Sequence, residues 1–443
     1  MLGYYLQLAL RSLRQNVALT LLTVILVGAG VGCFTFAFTT LRVMSSDPIP
    51  QKSSALFAPR IYSVRPDKPN PPGWLPDSLV YRDAMELMHG QPGIRQSAIF
   101  SMQVEIAPKD HPHFTAAGKA VNADFFPMFE VPFHAGSAWT RAEDKSAANV
   151  VVLSAGLANR LFPEGNPMDK DILVHGHAFR IVGVLGAWNP LPRFYDVWQA
   201  FSAPEDLYIP LSTARANEID DGEDSSGCLS PTLGTTKANH YSALLNSDCF
   251  HTVLWVELPT KSAAADYRSF LLTYIRQQQH LGRFLGTPRI VLQNVRELLV
   301  WAHVVPNEAL LRTYLAIGFL FICLVNAAGL ILAQLSRRPT ELSVRRAMGA
   351  SRLSICWQIL TESVLIGCLG GLLGVGLAAV ALALERSALS RSAGDAVLSR
   401  LTHMDSGVVL AAFAAGAATA IIAALFPAWQ VSKIPPARHL KLQ

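Results

Sequence analysis

The stretch Ser336-Arg-Arg-Pro-Thr-Glu-Leu-Ser-Val-Arg-Arg-Ala-Met-Gly-Ala-Ser-Arg352 decides how the rest of the chain is read. It lies between two long apolar segments, with arginines at 337, 338, 345, 346 and 352 and a single acid, Glu341. Pro339 suits a first helical position, and Glu341 falls in the first turn, where a carboxylate complements the helix dipole. Gly349 suits a C-terminal stop, and Ser351 a cap for the helix that follows. The expectation is a short, charged helix between two membrane spans, which offers a contact surface.

Working outward, composition agrees with a membrane setting. Of 443 residues, 51% are hydrophobic and 16% charged, against roughly 25% charged in soluble domains. The net charge of +5 is small and locally concentrated. No zinc-finger or other nucleic-acid motif is present, so nucleic acid is not an expected partner. Segments 17–41, 313–335, 359–384 and 407–429 each reach the length of about 20 apolar residues that a spanning helix needs. The first is too long in its apolar run for a signal peptide and is expected to stay as a span.

Orientation follows from the basic residues beside the spans. Arg11 and Arg14 precede the first span, the five arginines lie between the second and third, and Lys433, Arg438 and Lys441 follow the fourth. These regions are expected to be cytoplasmic. The layout is then a cytoplasmic amphipathic helix at 1–16 (Leu2, Leu6, Leu10 and Leu13 at helical spacing), a cytoplasmic loop at 336–358, a short external loop at 385–406 and a cytoplasmic tail at 430–443. Residues 42–312 lie outside. The expected class is a membrane α-helical protein with four transmembrane helices and a large α+β extracytoplasmic domain, placed in the inner (plasma) membrane with both termini inside.

In the external segment, residues 60–64, 99–106, 250–258 and 289–293 read as strands, and 77–89, 262–281 and 295–303 as helices. Two strand–helix–strand units of this kind form a small α/β layer. Between them lies an insertion with strands at 149–153 and 179–185, a helix at 154–162 and a turn at 163–167. Trp188, Phe194, Tyr195, Trp198 and Phe201 are expected to fill a small core rather than form an exposed contact loop. Cys228 and Cys249 are the two cysteines of the external segment and are expected to pair, stapling the Gly- and Ser-rich stretch 220–248.

Within the first span Gly28 and Gly32 form a GxxxG pair, and the third carries Gly367, Gly370, Gly371, Gly374 and Gly376. Small residues at this spacing let helices approach closely. Polar groups in the spans are few: Asn326, with Gln334, Gln358 and Glu362 toward the cytoplasmic side, Glu362 being expected to pair with Arg352. Chemistry-bearing motifs are absent. No GxxxxGK[ST], GxSxG, HExxH or CxxC occurs, so ATP is expected to bind a separate polypeptide. His111/His113 and His175/His177 have i,i+2 spacing that holds zinc only if other ligands converge; solvent-facing histidines are the expectation.

The opening stretch resembles a signature of the FtsX/MacB-type permeases of ABC transporters, in which an Arg, a Glu, basic residues and Gly-Ala recur in the order of 338–352. Pro339 stands where that family more often has a polar residue. Asn326, Glu362, the glycines at 370, 371 and 374, and Pro427-Ala-Trp-Gln-Val-Ser-Lys-Ile-Pro-Pro-Ala437 extend the likeness. Val121-Asn-Ala-Asp-Phe-Phe126, Val150-Val-Val-Leu-Ser154, Leu161-Phe-Pro-Glu-Gly165 and Phe179-Arg-Ile-Val-Gly-Val184 are similar to a MacB-type periplasmic core domain.

That resemblance implies a porter-like base (about 55–120 and 249–305) and a sabre-like insertion (about 121–248). It implies a non-enzymatic permease that dimerises with a second copy or a paralogous permease. Two cytoplasmic ATPase subunits would bind ATP and Mg and drive movement outside the membrane. Arg338, Glu341, Leu342, Arg345, Arg346 and Gly349 would form the coupling helix, with Leu342 and Met348 as apolar contacts. The alternative role for these arginines is to set topology and bind membrane lipid phosphates. An efflux member would also engage a periplasmic adaptor and an outer-membrane channel. Regulation of cell-wall enzymes, as FtsX-type members perform, and lipoprotein release are the other family roles.

Overall fold

Hydrogen-bonded helix and sheet account for most of the 16–64, 76, 78–91, 93–108, 112–163, 165–219, 250–284, 286–337, 348, 351–389 and 406–432 that the computed structural model describes. In chain order the elements begin with α1 (Val17–Met44), β1 (Leu56–Val64), β2 (Leu79–Val80), α2 (Tyr81–Gly90), β3 (Gln96–Ala107) and β4 (Phe114–Val121). There follow α3 (Phe125–Met128), β5 (Phe133–Gly136), α4 (Arg141–Lys145), β6 (Val150–Leu153), α5 (Ala155–Leu161), β7 (Asp171–Val174) and β8 (His177–Leu185). Next are β9 (Leu207–Pro210), α6 (Leu211–Ala216), β10 (Phe250–Glu257), α7 (Lys261–His280), β11 (Thr287–Asn294) and α8 (Val295–Trp301). The long helices α9 (Asn307–Ser336), α10 (Arg352–Leu389) and α11 (Ser406–Ser432) close the chain.

Two units result. One holds α1 with α9, α10 and α11; the other is Asp47–Val304. The first contains four helices long and apolar enough to cross a membrane. These helices outrun the apolar segments because backbone hydrogen bonds continue past the point where hydropathy falls. At the start of α10, Ser351 Oγ accepts from the Ser354 amide at 3.1 Å, a side-chain cap of the kind its position suggested. Because α10 starts at Arg352, Glu362 lies ten residues along it, about 15 Å of rise. The Glu362 carboxylate accepts from Gln358 Nε2 at 3.3 Å; the Arg352 side chain, its partner expected from sequence, lies outside the described residues.

The outer unit is built on one eleven-stranded sheet with the order β11-β1-β10-β3-β4-β9-β6-β8-β5, to which β2 and β7 add. The β4·β9 and β6·β8 pairs are parallel, and the remaining pairs antiparallel. Strands of the insertion are therefore hydrogen-bonded into the same sheet as the strands that flank it. Alternating residues divide between the two faces. Ala98, Phe100, Met102, Val104 and Ile106 of β3 join one apolar cluster with α2, α5 and α7, whereas Ile99 joins the other. On β10, Leu254 and Val256 face the first cluster and Trp255 the second.

The second cluster absorbs most of the aromatic stretch. Phe194 and Tyr195 are buried there beside Phe125 and Phe129, with Trp188 stacked on Tyr195 at 5.3 Å. Trp198 departs from the core expectation, standing 78% exposed in the middle of the short 3-10 turn Val197–Gln199. Charge fastens this loop as well as apolar contact. Arg193 donates to Glu205 Oε1 at 3.0 Å and to the Ser202 carbonyl at 2.8 Å. Tyr195 and Tyr208 donate to Glu205 Oε2 at 2.9 and 3.0 Å. Lys119 of β4 reaches Asp196 and donates to Ser101 Oγ at 2.7 Å. Burial, reinforced by the Glu205 charge, pushes both phenols well above their usual range, so they remain donors.

Removing one member of such a group leaves a buried charge uncompensated. Lys119→Met strands Asp196 and is expected to destabilise the outer unit by about 3–5 kcal/mol. Tryptophan fluorescence of the full-length chain during thermal unfolding reads this, since Trp188 and Trp255 lie in the adjoining cluster.

Candidate functional site

The arginine-rich loop is the first candidate. Arg338, Glu341, Leu342, Arg345, Arg346 and Gly349 lie outside the described residues, as do Cys228 and Cys249 and the amphipathic segment 1–15. Met348 is described and 77% exposed.

Helix packing is the second candidate, and there the geometry is explicit. Helix α10 sets glycines against two neighbours. On one side a Cβ added to Gly374 would lie 3.0 Å from the Gly28 carbonyl oxygen and 3.0 Å from the Gly32 amide nitrogen. One added to Gly32 would meet the Gly374 carbonyl at 3.0 Å, and one on Gly370 would meet Val27 Cγ1 at 2.7 Å. Gly28 is bounded by the Leu373 side chain, 2.8 Å from such a Cβ. On the other side, a Cβ on Gly367 would lie 2.8 Å from the Gly416 carbonyl of α11, while Gly371 keeps ordinary contact with Phe413 at 3.5 Å. A Cβ on Gly376 would meet nothing of a neighbouring helix within 4 Å, so this glycine takes no part. Small residues thus bring α1, α10 and α11 to backbone contact.

Gly416, which sequence reasoning did not single out, and Gly30 of the first span complete this packing. Gly416 meets Gly367 and Gly371, and Gly30 turns toward Cys323 of α9. Gly416 sits in an alanine-rich helix where one more small residue carries no distinguishing signal. Gln334 Nε2 donates to Thr20 Oγ1 at 3.4 Å, joining α9 to α1. Arg312 and Glu385 pair at 3.4 Å between α9 and α10. Asn326 is exposed on α9 instead of facing the bundle. Among the described residues of this unit the buried polar side chains are Thr23, Thr35, Thr39, Thr40, Thr313, Ser363 and Thr419. None is a carboxylate or a base.

Outside the bundle, a groove of about 920 Å³ opens in the outer unit, lined by Met85, Met88, Ile94, Gln96, Arg141 and Lys145 among others. Its wall includes Asp144, whose carboxyl is pushed up by burial even though it accepts from the Ala123 amide at 3.0 Å. Arg141 clamps Asp124 through two contacts at 2.9 Å. Of the histidine pairs, His113 meets Glu105 at 2.7 Å, His175 and His177 are exposed, and His111 lies outside the described residues. No group of three or more metal-ligating side chains occurs among the described residues.

The family comparison joins these parts. Residues 20–244, half of the chain, match the model of the MacB-like periplasmic core domain, and residues 314–436 match the FtsX-like permease C-terminal model. The chain belongs to the MacB/FtsX-type ABC transporter permease family. It is 23% identical over 436 residues to the macrolide export ATP-binding/permease protein MacB of Marinobacter nauticus, covering 98% of this chain and 60% of that protein. It is 24% identical over 373 residues to the pyoverdine export ATP-binding/permease protein PvdT of Pseudomonas savastanoi pv. phaseolicola, covering 80% of this chain and 45% of that one. The chain thus spans about half the length of the curated relatives it matches. The crystallised periplasmic region of MacB from Actinobacillus actinomycetemcomitans aligns with 56% of this chain and 92% of that one, at 16% identity and a TM-score of 0.35.

For this permease, the glycine contacts make a differential prediction. Gly374→Leu and Gly416→Leu drive a side chain into backbone, which ordinary overpacking already makes costly by about 1–3 kcal/mol. Both are expected to lower the thermal stability and monodispersity of the purified full-length chain in detergent. Gly376→Leu, facing open space, is expected to leave both unchanged.

Proposed function

We propose that this permease works by mechanotransmission: a cytoplasmic ATPase subunit, which holds ATP and Mg, drives the membrane helices, and these move the outer unit to export substrate. The observation that carries this reading is the closure of the bundle by backbone contact at Gly28, Gly32, Gly374, Gly367 and Gly416, with no buried charge among its described residues. Such a bundle suits the transfer of displacement better than the passage of a solute. The names of the relatives, which export a macrolide or pyoverdine, favour export over the regulation of cell-wall enzymes or lipoprotein release.

In this reading the chain itself is not an enzyme. Residues 336–352 face the cytoplasm with both termini, and Arg338, Glu341, Leu342, Arg345, Arg346, Met348 and Gly349 dock on the ATPase. Arginines meet partner acids there, and Leu342 and Met348 supply apolar contact; the exposure of Met348 supports such a role. The half of the sheet around β1, β10 and β11 is the porter-like base (about 55–120 and 249–305), and the strands between 121 and 248 the sabre-like lobe. A second permease subunit completes the assembly, and an adaptor with an outer-membrane channel would carry substrate onward.

Arg345→Glu combined with Arg346→Glu is expected to reduce co-purification of the ATPase about tenfold or more, since close charge pairs at interfaces couple by about 1.5 kcal/mol or more. Undiminished recovery from normally inserted protein would sink the docking assignment.

A further inference from the structure

The chain passes into the outer unit at Asp47 and leaves it after Val304. These two legs are tied together before they reach the sheet. Arg296 Nε of α8 donates to Asp47 Oδ2 at 2.7 Å. Asp47 Oδ1 accepts from the Ile49 amide at 3.1 Å and from the Ser53 hydroxyl, so the carboxylate is anchored in the incoming leg. The Val295 amide donates to the Ser53 carbonyl at 3.3 Å. Ile49, Val295 and Leu298 sink into one apolar cluster. Helix α8 is itself held by a reciprocal cap, with Glu297 N on Asn294 Oδ1 at 3.0 Å and Asn294 N on Glu297 Oε2 at 3.1 Å.

Beyond this root the two legs become β1 and β11, paired residue by residue from Phe57↔Asn294 to Val64↔Thr287. Sliding one strand against the other there requires a whole ladder of hydrogen bonds to break together. At the root, by contrast, a single backbone hydrogen bond, the ion pair, the Arg60 guanidinium 3.8 Å over the Trp301 ring and a few apolar contacts hold the legs. The root is therefore the compliant point of the path, and the first that a displacement arriving along either leg meets. Asp47 is largely covered while the Arg296 side chain is 71% exposed. Burial opposes the Asp47 charge, but hydrogen bonds from Ser53, Arg296 and Ile49 hold its carboxyl below the usual carboxylate range, so the pair is charged at neutral pH.

We propose that the Asp47–Arg296 pair is a clasp that makes the two legs move as one, so that displacement of the membrane helices shifts the outer unit instead of flexing a single leg. The proposal rests on the mechanotransmission reading above. Asp47 and Arg296 are positioning residues in this role. A pair whose arginine is this exposed contributes little to folding, so losing the arginine uncouples the legs without unfolding the unit.

The test uses the full chain purified together with its ATP-hydrolysing subunit. Arg296→Glu sets a like charge against Asp47 but leaves the Ile49 and Ser53 contacts of Asp47 in place; Arg296→Lys keeps the charge. Three readouts are taken: nucleotide-dependent protection of the outer unit from protease, basal ATP hydrolysis, and the thermal midpoint of the outer unit. Arg296→Glu is expected to cut the nucleotide-dependent protection about fivefold or more, with hydrolysis and midpoint unchanged, and Arg296→Lys to keep most of it. Wild-type protection in Arg296→Glu overturns the clasp. So does equal loss in both variants, or a fall in midpoint that accounts for the loss. Wild-type protein that hydrolyses ATP with no change in protection overturns mechanotransmission itself, an outcome independent of either variant.

Discussion

Inside a bilayer an apolar side chain gains nothing by leaving lipid for protein, so helix association depends on how closely backbones approach. In this permease that constraint falls on α10. It places Gly370 and Gly374 against α1 and Gly367 and Gly371 against α11, two seams on one helix. A bundle closed in this manner has little free volume, and its described interior polar groups are hydroxyls; those of Thr23, Thr39, Thr40, Thr313, Ser363 and Thr419 bond back to their own helix. The same close contact that stabilises the helices also makes them stiff partners of one another.

The outer unit solves a different problem, since water competes for every polar group. Its sheet runs without a break from β11 to β5, with apolar clusters on both faces. The ionic group around Glu205 fixes the loop after β8 to that sheet. Buried charges of this kind are weak evidence for stability, but they do prescribe one geometry: Lys119, Arg193, Tyr195 and Tyr208 are satisfied together only when the loop lies in a single place. Trp198 is presented from that fixed loop.

Much of this was legible from residues. The four apolar segments fall within α1, α9, α10 and α11, and the family signatures at 121–126, 150–154 and 338–352 named the family that the comparison shows. Less legible were β4, β5, β7 and β9. Three of them are four residues long, and β4 contains Gly118 and Lys119, which no strand periodicity recommends. Their existence depends on partners distant in sequence: β9 is a strand because Leu207–Pro210 finds Gly118–Val121. Lys119 reads from sequence as a surface residue and becomes a buried one because Asp196 and Glu205 arrive from another part of the chain.

By itself, the sequence determined that this chain crosses a membrane, which glycines are available for close packing, and the family to which it belongs. These properties reside in composition and local spacing, since hydropathy over about twenty residues needs no knowledge of neighbours. Tertiary structure alone decided which glycine meets which. Gly376 looks equivalent to Gly374 on paper but faces open space, because two positions on a helix lie about 200° apart. It also decided that Asp47 and Arg296, 249 residues apart, meet at the root of the outer unit. Contacts across such distances are set by how strands and helices assemble, which no local pattern records.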